Sequence, residues 1–190
     1  MNGMKEKIHM KRLIIGIMSF LLMSSGCVWG TSTSVVEETN SLSGLESGMS
    51  SLPAEAQSLL DIDLPACVRD ETVFEVAYVT RVIDGDSIEV LLDGEEEQVR
   101  YIGVNTPEYY SDEREEAISA TELNRQLVEG QYVLLVRDIS DRDKYERLLR
   151  YVFTTEDFVN YRLVEEGAAE ARSYPPDTAC GDYLFNAKNQ

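Results

Sequence analysis

The sequence predicts a β-rich α+β domain, a five-stranded Greek-key barrel of the OB type carrying two to three helices. Three observations carry that expectation. Five short runs rich in β-branched and aromatic residues fall between positions 73 and 153, an Asp93-Gly94 pair joins the second run to the third, and a helix-period stretch follows the third.

Residues 73–83 alternate in polarity and are rich in valine, and residues 87–92 form a second such run, so both read as strands. Asp93-Gly94 is a two-residue hairpin signal that returns the chain into residues 98–104 as a third strand, completing a meander. Residues 111–128 bring Ile118, Leu123, Leu127 and Val128 near one face with glutamates opposite, and Gly130 follows as a stop. Residues 132–136 and 148–153 give the last two strands. Residues 158–166 form a second helix ended by Gly167.

The chain divides into three parts. Lys5, Lys7, Lys11 and Arg12 precede an apolar run, residues 13–23, which is too short for the roughly 20 residues of a membrane-spanning helix and reads as a secretory signal over residues 1–26. Ser24-Ser25-Gly26 before Cys27 resembles a bacterial lipoprotein cleavage site, although that pattern prefers leucine where Ser24 stands. Lipidation at Cys27 would tether an exported protein to a membrane; ordinary signal cleavage and an uncleaved anchor remain open. Residues 27–70, rich in Ser, Thr and Glu, read as a flexible spacer, and residues 71–190 as the folded domain. In an oxidising compartment Cys67 and Cys180 can pair as a disulfide, the alternative being two separate buried thiols.

With 35 acidic against 17 basic residues and a net charge of -18, most of the surface repels phosphate, so any phosphate site must be local. The single histidine is His9, inside the signal. Imidazole-based triads and imidazole metal sites are therefore excluded from the folded part, leaving carboxylate, guanidinium, amine and phenol chemistry beside a hard cation.

Four local groups stand out. Asp84-Gly85-Asp86 sits between the first two strands; alone it is an ordinary tight turn. Arg100 to Glu108 runs from a strand-borne arginine into Asn105-Thr106-Pro107-Glu108, with Arg100 expected on the strand face of Ile102 and Val104. Asp143-Lys144-Tyr145-Glu146-Arg147 is a charged loop between strands, and Tyr174-Pro175-Pro176 a rigid turn. In this order and spacing they resemble the staphylococcal nuclease (thermonuclease-like) family, over about residues 73–187.

The resemblance implies an enzyme that hydrolyses DNA and RNA with one Ca2+ ion and low sequence specificity. By position, Asp86 and the Thr106 carbonyl would face the ion. Asp84 would orient ligands or bound water without binding directly. Glu108 would activate the attacking water, and Arg100 and Arg147 would clamp the scissile phosphate. Lys144 and Tyr145 would contact a neighbouring phosphate, and Tyr174 would stack on a base or line the pocket. Asn105 stands where the best-known members carry a calcium-binding aspartate, so its amide oxygen is a ligand without formal charge. Glu146 stands where glycine is usual. The family's third helix is expected to begin near Tyr183, and with the sequence stopping at Gln190 it reads as truncated. The competing readings are a non-catalytic module of the same fold that binds nucleic acid or protein, and a structural surface lipoprotein.

Overall fold

The computed structural model describes residues 52–68 and 72–189. The signal segment and Cys27 lie outside them. No helix among the described residues is long and apolar enough to cross a membrane.

Strands β1 (Phe74–Asp84), β2 (Ser87–Leu92), β3 (Glu95–Tyr101), β5 (Tyr132–Val136) and β6 (Leu148–Phe153) close into a barrel in the order β1-β2-β3-β6-β5, as the sequence predicts. Every neighbour is antiparallel except β3 with β6, whose parallel register pairs Val99 with Leu148 and Arg100 with Leu149. The Asp93-Gly94 turn has both residues at positive φ, 51° and 89°, the geometry whose twist matches a tight hairpin. Ala77, Val79, Ile88, Val90, Val99, Val133, Leu135 and Val152 are buried and fill the barrel. Their spacing of two along each strand is the alternation that the sequence displays.

The third strand departs from its expected span. It ends at Tyr101, because Gly103 turns the chain with φ 77°, and Val104–Asn105 then forms a separate short strand, β4. β4 pairs with β7 (Glu170–Ala171) outside the barrel, so Arg100 does not share one alternating face with Ile102 and Val104.

The long helix, α2 (Arg114–Val128), starts three residues after the expected Ser111 and buries Ala117, Ala120, Asn124 and Val128, spaced by one or two turns on one face. Ile118, expected on that face, is exposed. Helix α3 (Val159–Glu165) packs Val159, Leu163 and Val164 into the core, and α4 (Gly181–Phe185) contributes buried Leu184.

Residues 52–68 were expected to belong to the spacer, yet they contain α1 (Ala54–Gln57) and a 3-10 turn (Ser58–Asp61), with Ala56 and Leu59 fully buried. The reason is the outer face of β5 and β6. Leu134, Val136, Tyr151 and Phe153 project away from the barrel interior and are nonetheless buried, and an apolar sheet face of that size requires a cover. Leu59, Ile62 and Leu64 belong to the apolar cluster that provides it. The segment is fastened by a disulfide between Cys67 and Cys180, with a Cα–Cα distance of 5.0 Å.

Candidate active site

The first site element is built by one glycine. At Gly85, between β1 and β2, an added Cβ would stand 2.7–2.8 Å from three side-chain atoms of Thr106, so the turn can press against Thr106 only without a side chain. That contact brings Asp86 and Thr106 together across 20 residues of sequence. The Thr106 backbone N–H and hydroxyl both donate to Asp86 Oδ2, at 2.8 and 3.0 Å, and Arg100 Nη2 lies 3.1 Å from the same oxygen. Gly85→Ala is expected to cost about 1–3 kcal/mol of stability by overpacking and to displace Thr106 from Asp86. Thermal unfolding together with cation titration checks this; wild-type behaviour in both would show that the contact yields.

Asp86 is 6% exposed. Burial pushes its carboxyl above the usual carboxylate range, the nearby Asp84 charge adds to the rise, and Arg100 and the Thr106 hydrogen bonds oppose it. Three donors crowd Oδ2, whereas Oδ1 receives only a long 3.4 Å contact from the Ser87 hydroxyl. Asp84 accepts from the Asp86 N–H at 3.1 Å and stands at the exposed end of β1, beside the buried carboxylate. Asp84, Asp86, Thr106 and Glu108 line one cleft of about 510 Å³; Asn105, Thr106 and Glu108 also line an adjoining groove.

Arg100 is anchored at the end of β3. Its Nη1 donates to the carbonyls of Tyr101 and Val104, and its Nη2 reaches Asn105 Oδ1 at 3.4 Å. The Asn105 oxygen is thus turned toward Arg100, and its amide nitrogen donates to the Thr106 carbonyl at 3.3 Å.

Arg147 lies one residue before β6. Extending the parallel register from Val99↔Leu148 and Arg100↔Leu149 sets it beside Gln98, on the same outward strand face as Arg100. Strand spacing puts the two Cα atoms on the order of 8 Å apart. Asp143 holds the side chain: Arg147 Nε donates to Asp143 Oδ2 at 2.9 Å, and Nη2 lies 2.7 Å away. Burial pushes the Asp143 carboxyl up, but hydrogen bonds from Arg147 and the Tyr145 amide outweigh it and leave the group below its usual range, hence ionised. Lys144 Nζ and the Arg147 guanidinium carbon sit 4.8 and 5.5 Å from the centroid of the exposed Tyr145 ring. Tyr174 is exposed in the turn before Asp177 and lines none of the clefts that Asp86 or Glu108 lines.

Glu146 adopts φ 66°, a left-handed conformation that costs a residue with a Cβ about 1–2 kcal/mol. That explains why glycine suits this position. Glu146→Gly is expected to raise stability by about 1 kcal/mol in denaturant unfolding; a drop would show that the glutamate makes compensating contacts.

Several supporting residues carry no motif in the sequence. Buried Asn124 donates to the Asp84 carbonyl and accepts from the Tyr101 hydroxyl, both at 2.9 Å, tying α2 to the turn that bears the two aspartates. Asn160 bridges the Val152 N–H and the Ile102 carbonyl. Arg150, 1% exposed, ion-pairs with Glu75 and Asp141 and donates to the Asp141 carbonyl, pinning the connection that carries Arg147. Asp177 Oδ1 accepts from the Ile139 and Ser140 amides of the same connection.

The atoms that could ligate an ion here, Asp86 Oδ1, the Thr106 carbonyl and the Asn105 amide oxygen, are all oxygens, which fits a hard cation such as Ca2+, while Asp86 Oδ2 is already taken by Thr106 and Arg100. Among the described residues no group of three or more His, Cys, Asp or Glu side chains converges. Carbonyl, amide, water and substrate oxygens would have to complete a coordination shell.

Residues 98–190 match the family model described as staphylococcal nuclease homologue, a match that begins inside β3. The chain is 39% identical over 106 residues to a thermonuclease of Staphylococcus intermedius, covering 54% of this chain and 63% of that protein. It is 34% identical over 115 residues to a thermonuclease of Staphylococcus hyicus, covering 59% and 68%. It is also 39% identical over 103 residues to the endonuclease YncB of Bacillus subtilis (strain 168), covering 52% and 49%. The chain thus spans about two thirds of the length of the two thermonucleases and about half that of the endonuclease. With the closed barrel, the parallel β3–β6 pair and these matches together, the chain belongs to the staphylococcal nuclease family.

Proposed function

We propose that the protein is a nuclease that hydrolyses phosphodiester bonds of DNA and RNA, using one Ca2+ ion and little sequence discrimination. The observation that carries this reading is the buried Asp86 carboxylate, held by Thr106 and Arg100 and sharing its cleft with Glu108. In a chain this acidic, a guanidinium pair on one strand face beside that cleft is the kind of local positive site a phosphodiester needs.

Asp86 through Oδ1 and the Thr106 carbonyl would hold the ion, joined by the Asn105 amide oxygen once its side chain turns from Arg100 and releases the Thr106 carbonyl, with Asp84 orienting the Asp86 backbone. Bound there, calcium would supply a Lewis acid for the phosphoryl oxygen and make hydroxide cheaper to form. Glu108 then takes the proton of the attacking water, the part left to a carboxylate in a fold without imidazole. Arg100 Nε and Arg147 Nη1 carry no protein hydrogen bond among the described residues, so they are the donors left for the non-bridging phosphate oxygens. Lys144 and Tyr145 extend the same surface toward a neighbouring phosphate, with Tyr174 offering a ring to a base.

Digestion of single-stranded DNA by the purified protein, dependent on added calcium and abolished by chelation, tests the reading. Binding without cleavage would identify a non-catalytic module instead. Asn105→Asp should tighten calcium binding by adding formal charge to the donor set. Calcium titration checks it, and an unchanged affinity would remove Asn105 from the ligands. The reading also takes the protein as exported and tethered through lipid on Cys27, supported by the basic start and apolar run of the signal. Membrane fractionation of Cys27→Ser tests this, since an unaltered membrane fraction would rule the anchor out.

A further inference from the structure

We propose that Tyr109 and Tyr110, steadied by Arg114, form a stacking subsite for an unpaired base of a nucleotide flanking the scissile phosphate. The inference rests on the nuclease reading and extends its contacts beyond the phosphates. Both tyrosines line the cleft that contains Asp84, Asp86, Thr106 and Glu108, so a strand engaged at the carboxylates passes them. Tyr109 is 45% exposed and Tyr110 98% exposed. The rings meet edge to face, with centroids 5.2 Å apart at 85°, which leaves broad faces of Tyr110 uncovered.

Tyr109 is the fixed member of the pair. The Arg114 guanidinium lies over its ring at 4.5 Å and also donates a hydrogen bond to its hydroxyl. Among the described residues Arg114 is the one arginine that forms no ion pair, in a chain with 35 acidic and 17 basic residues. Arg125, which lines the same cleft, is by contrast committed to Glu122 and Glu129. Arg114 therefore keeps its charge for an incoming anion.

The chemistry of the cleft selects what can occupy it. Beyond the carboxylates given to the ion and the attacking water, the wall next to the tyrosines carries Glu122, which disfavours a bare phosphate there, whereas a neutral, flat base suffers no such repulsion. Stacking on tyrosine supplies affinity without reading base edges, because every base offers a π face. Arg114 receives the phosphate belonging to that base.

The test compares the full chain with the Tyr109→Ala/Tyr110→Ala double variant. The substrates are a dinucleotide and a longer single-stranded oligodeoxynucleotide, the latter also with one abasic position moved along it. The variant's preference for long over short substrate, as the ratio of kcat/KM values, should fall about tenfold through KM, in line with the loss of one stacked base. One abasic position should impose a similar penalty on the wild type and none on the variant, and Tyr109→Phe/Tyr110→Phe should restore the preference. A preference that survives the double alanine change, or an abasic penalty undiminished in it, overturns the subsite while leaving dinucleotide cleavage, and so the nuclease reading, intact. Should the wild type cleave neither substrate, the nuclease reading fails by itself. Equilibrium binding of the same oligonucleotides then decides the subsite by the same abasic comparison.

Discussion

Arg147→Ala is expected to lower turnover of a DNA substrate at least a hundredfold, the effect of about 3–4 kcal/mol seen when a transition-state donor is removed. Its structural cost should stay near 1 kcal/mol, because Asp143 keeps the hydrogen bonds from the Tyr145 and Arg147 amides after the guanidinium is gone. Catalysis and folding therefore separate at this position. Arg100→Ala should cause a similar kinetic loss, but it also frees the carbonyls of Tyr101 and Val104 and leaves Asp86 buried without its cation. Steady-state kinetics on folded Arg147→Ala, verified by circular dichroism, is the sharper measurement. Turnover near the wild-type value would remove Arg147 from the proposed machinery.

Removing the disulfide is expected to have the largest effect on stability. Cys67 and Cys180 are 113 residues apart, so the link constrains most of the described chain when unfolded. On the chain-entropy account its loss costs about 3–5 kcal/mol, which for a domain of this size lowers Tm by on the order of 10–15 °C. The local consequences point the same way. The Cys180 N–H donates to the Tyr151 hydroxyl, which donates to Asp138, so the bridge also fastens the end of the chain to β6. Thermal unfolding of Cys67→Ala/Cys180→Ala, and of the wild type with and without reductant, should give matching low midpoints. Equal midpoints in oxidised and reduced wild type would show that the barrel stands without the link.

The barrel was legible because its strands alternate and its turns carry unambiguous residues. Asp93-Gly94 fixes one hairpin by its demand for positive φ, and residues 132–136 and 148–153 admit little but β structure. The end of β3 was not legible, since Ile102 and Val104 continue the alternation by composition while Gly103 breaks it by conformation. Residues 54–62 read as spacer because their few apolar side chains have no period of their own; they are called into order by the outer face of β5 and β6. Cysteine parity permitted the disulfide, and the packing of that segment realises it.

The candidate site could be proposed from the sequence as a set of residue types in order, but its connections could not. Asp86, Thr106 and Glu108 do share one cleft, and Arg100 touches Asp86. Asn124, Asn160 and Arg150 escaped notice because a polar residue in a sequence reads as surface, whereas here each is buried and satisfied by groups distant along the chain. Only tertiary structure supplies such partners, and nothing in a local pattern announces them.

Two aspartates that fasten the segment around residues 177–180, one of them within it and the other just after β5, bear on any attempt to re-engineer so acidic a molecule for tighter grip on polyanions. Neutralising carboxylates is the direct route, and Glu95 and Glu96 at the β2–β3 hairpin are exposed candidates for lysine or glutamine. Asp138 and Asp177 are unsuitable, since each accepts two hydrogen bonds that rivet the segment around residues 177–180 to the barrel. A charge-reversal library that spares these two, along with Asp86, Asp143 and the Glu75 and Asp141 partners of buried Arg150, can shift the electrostatics of the whole protein without loosening its seams.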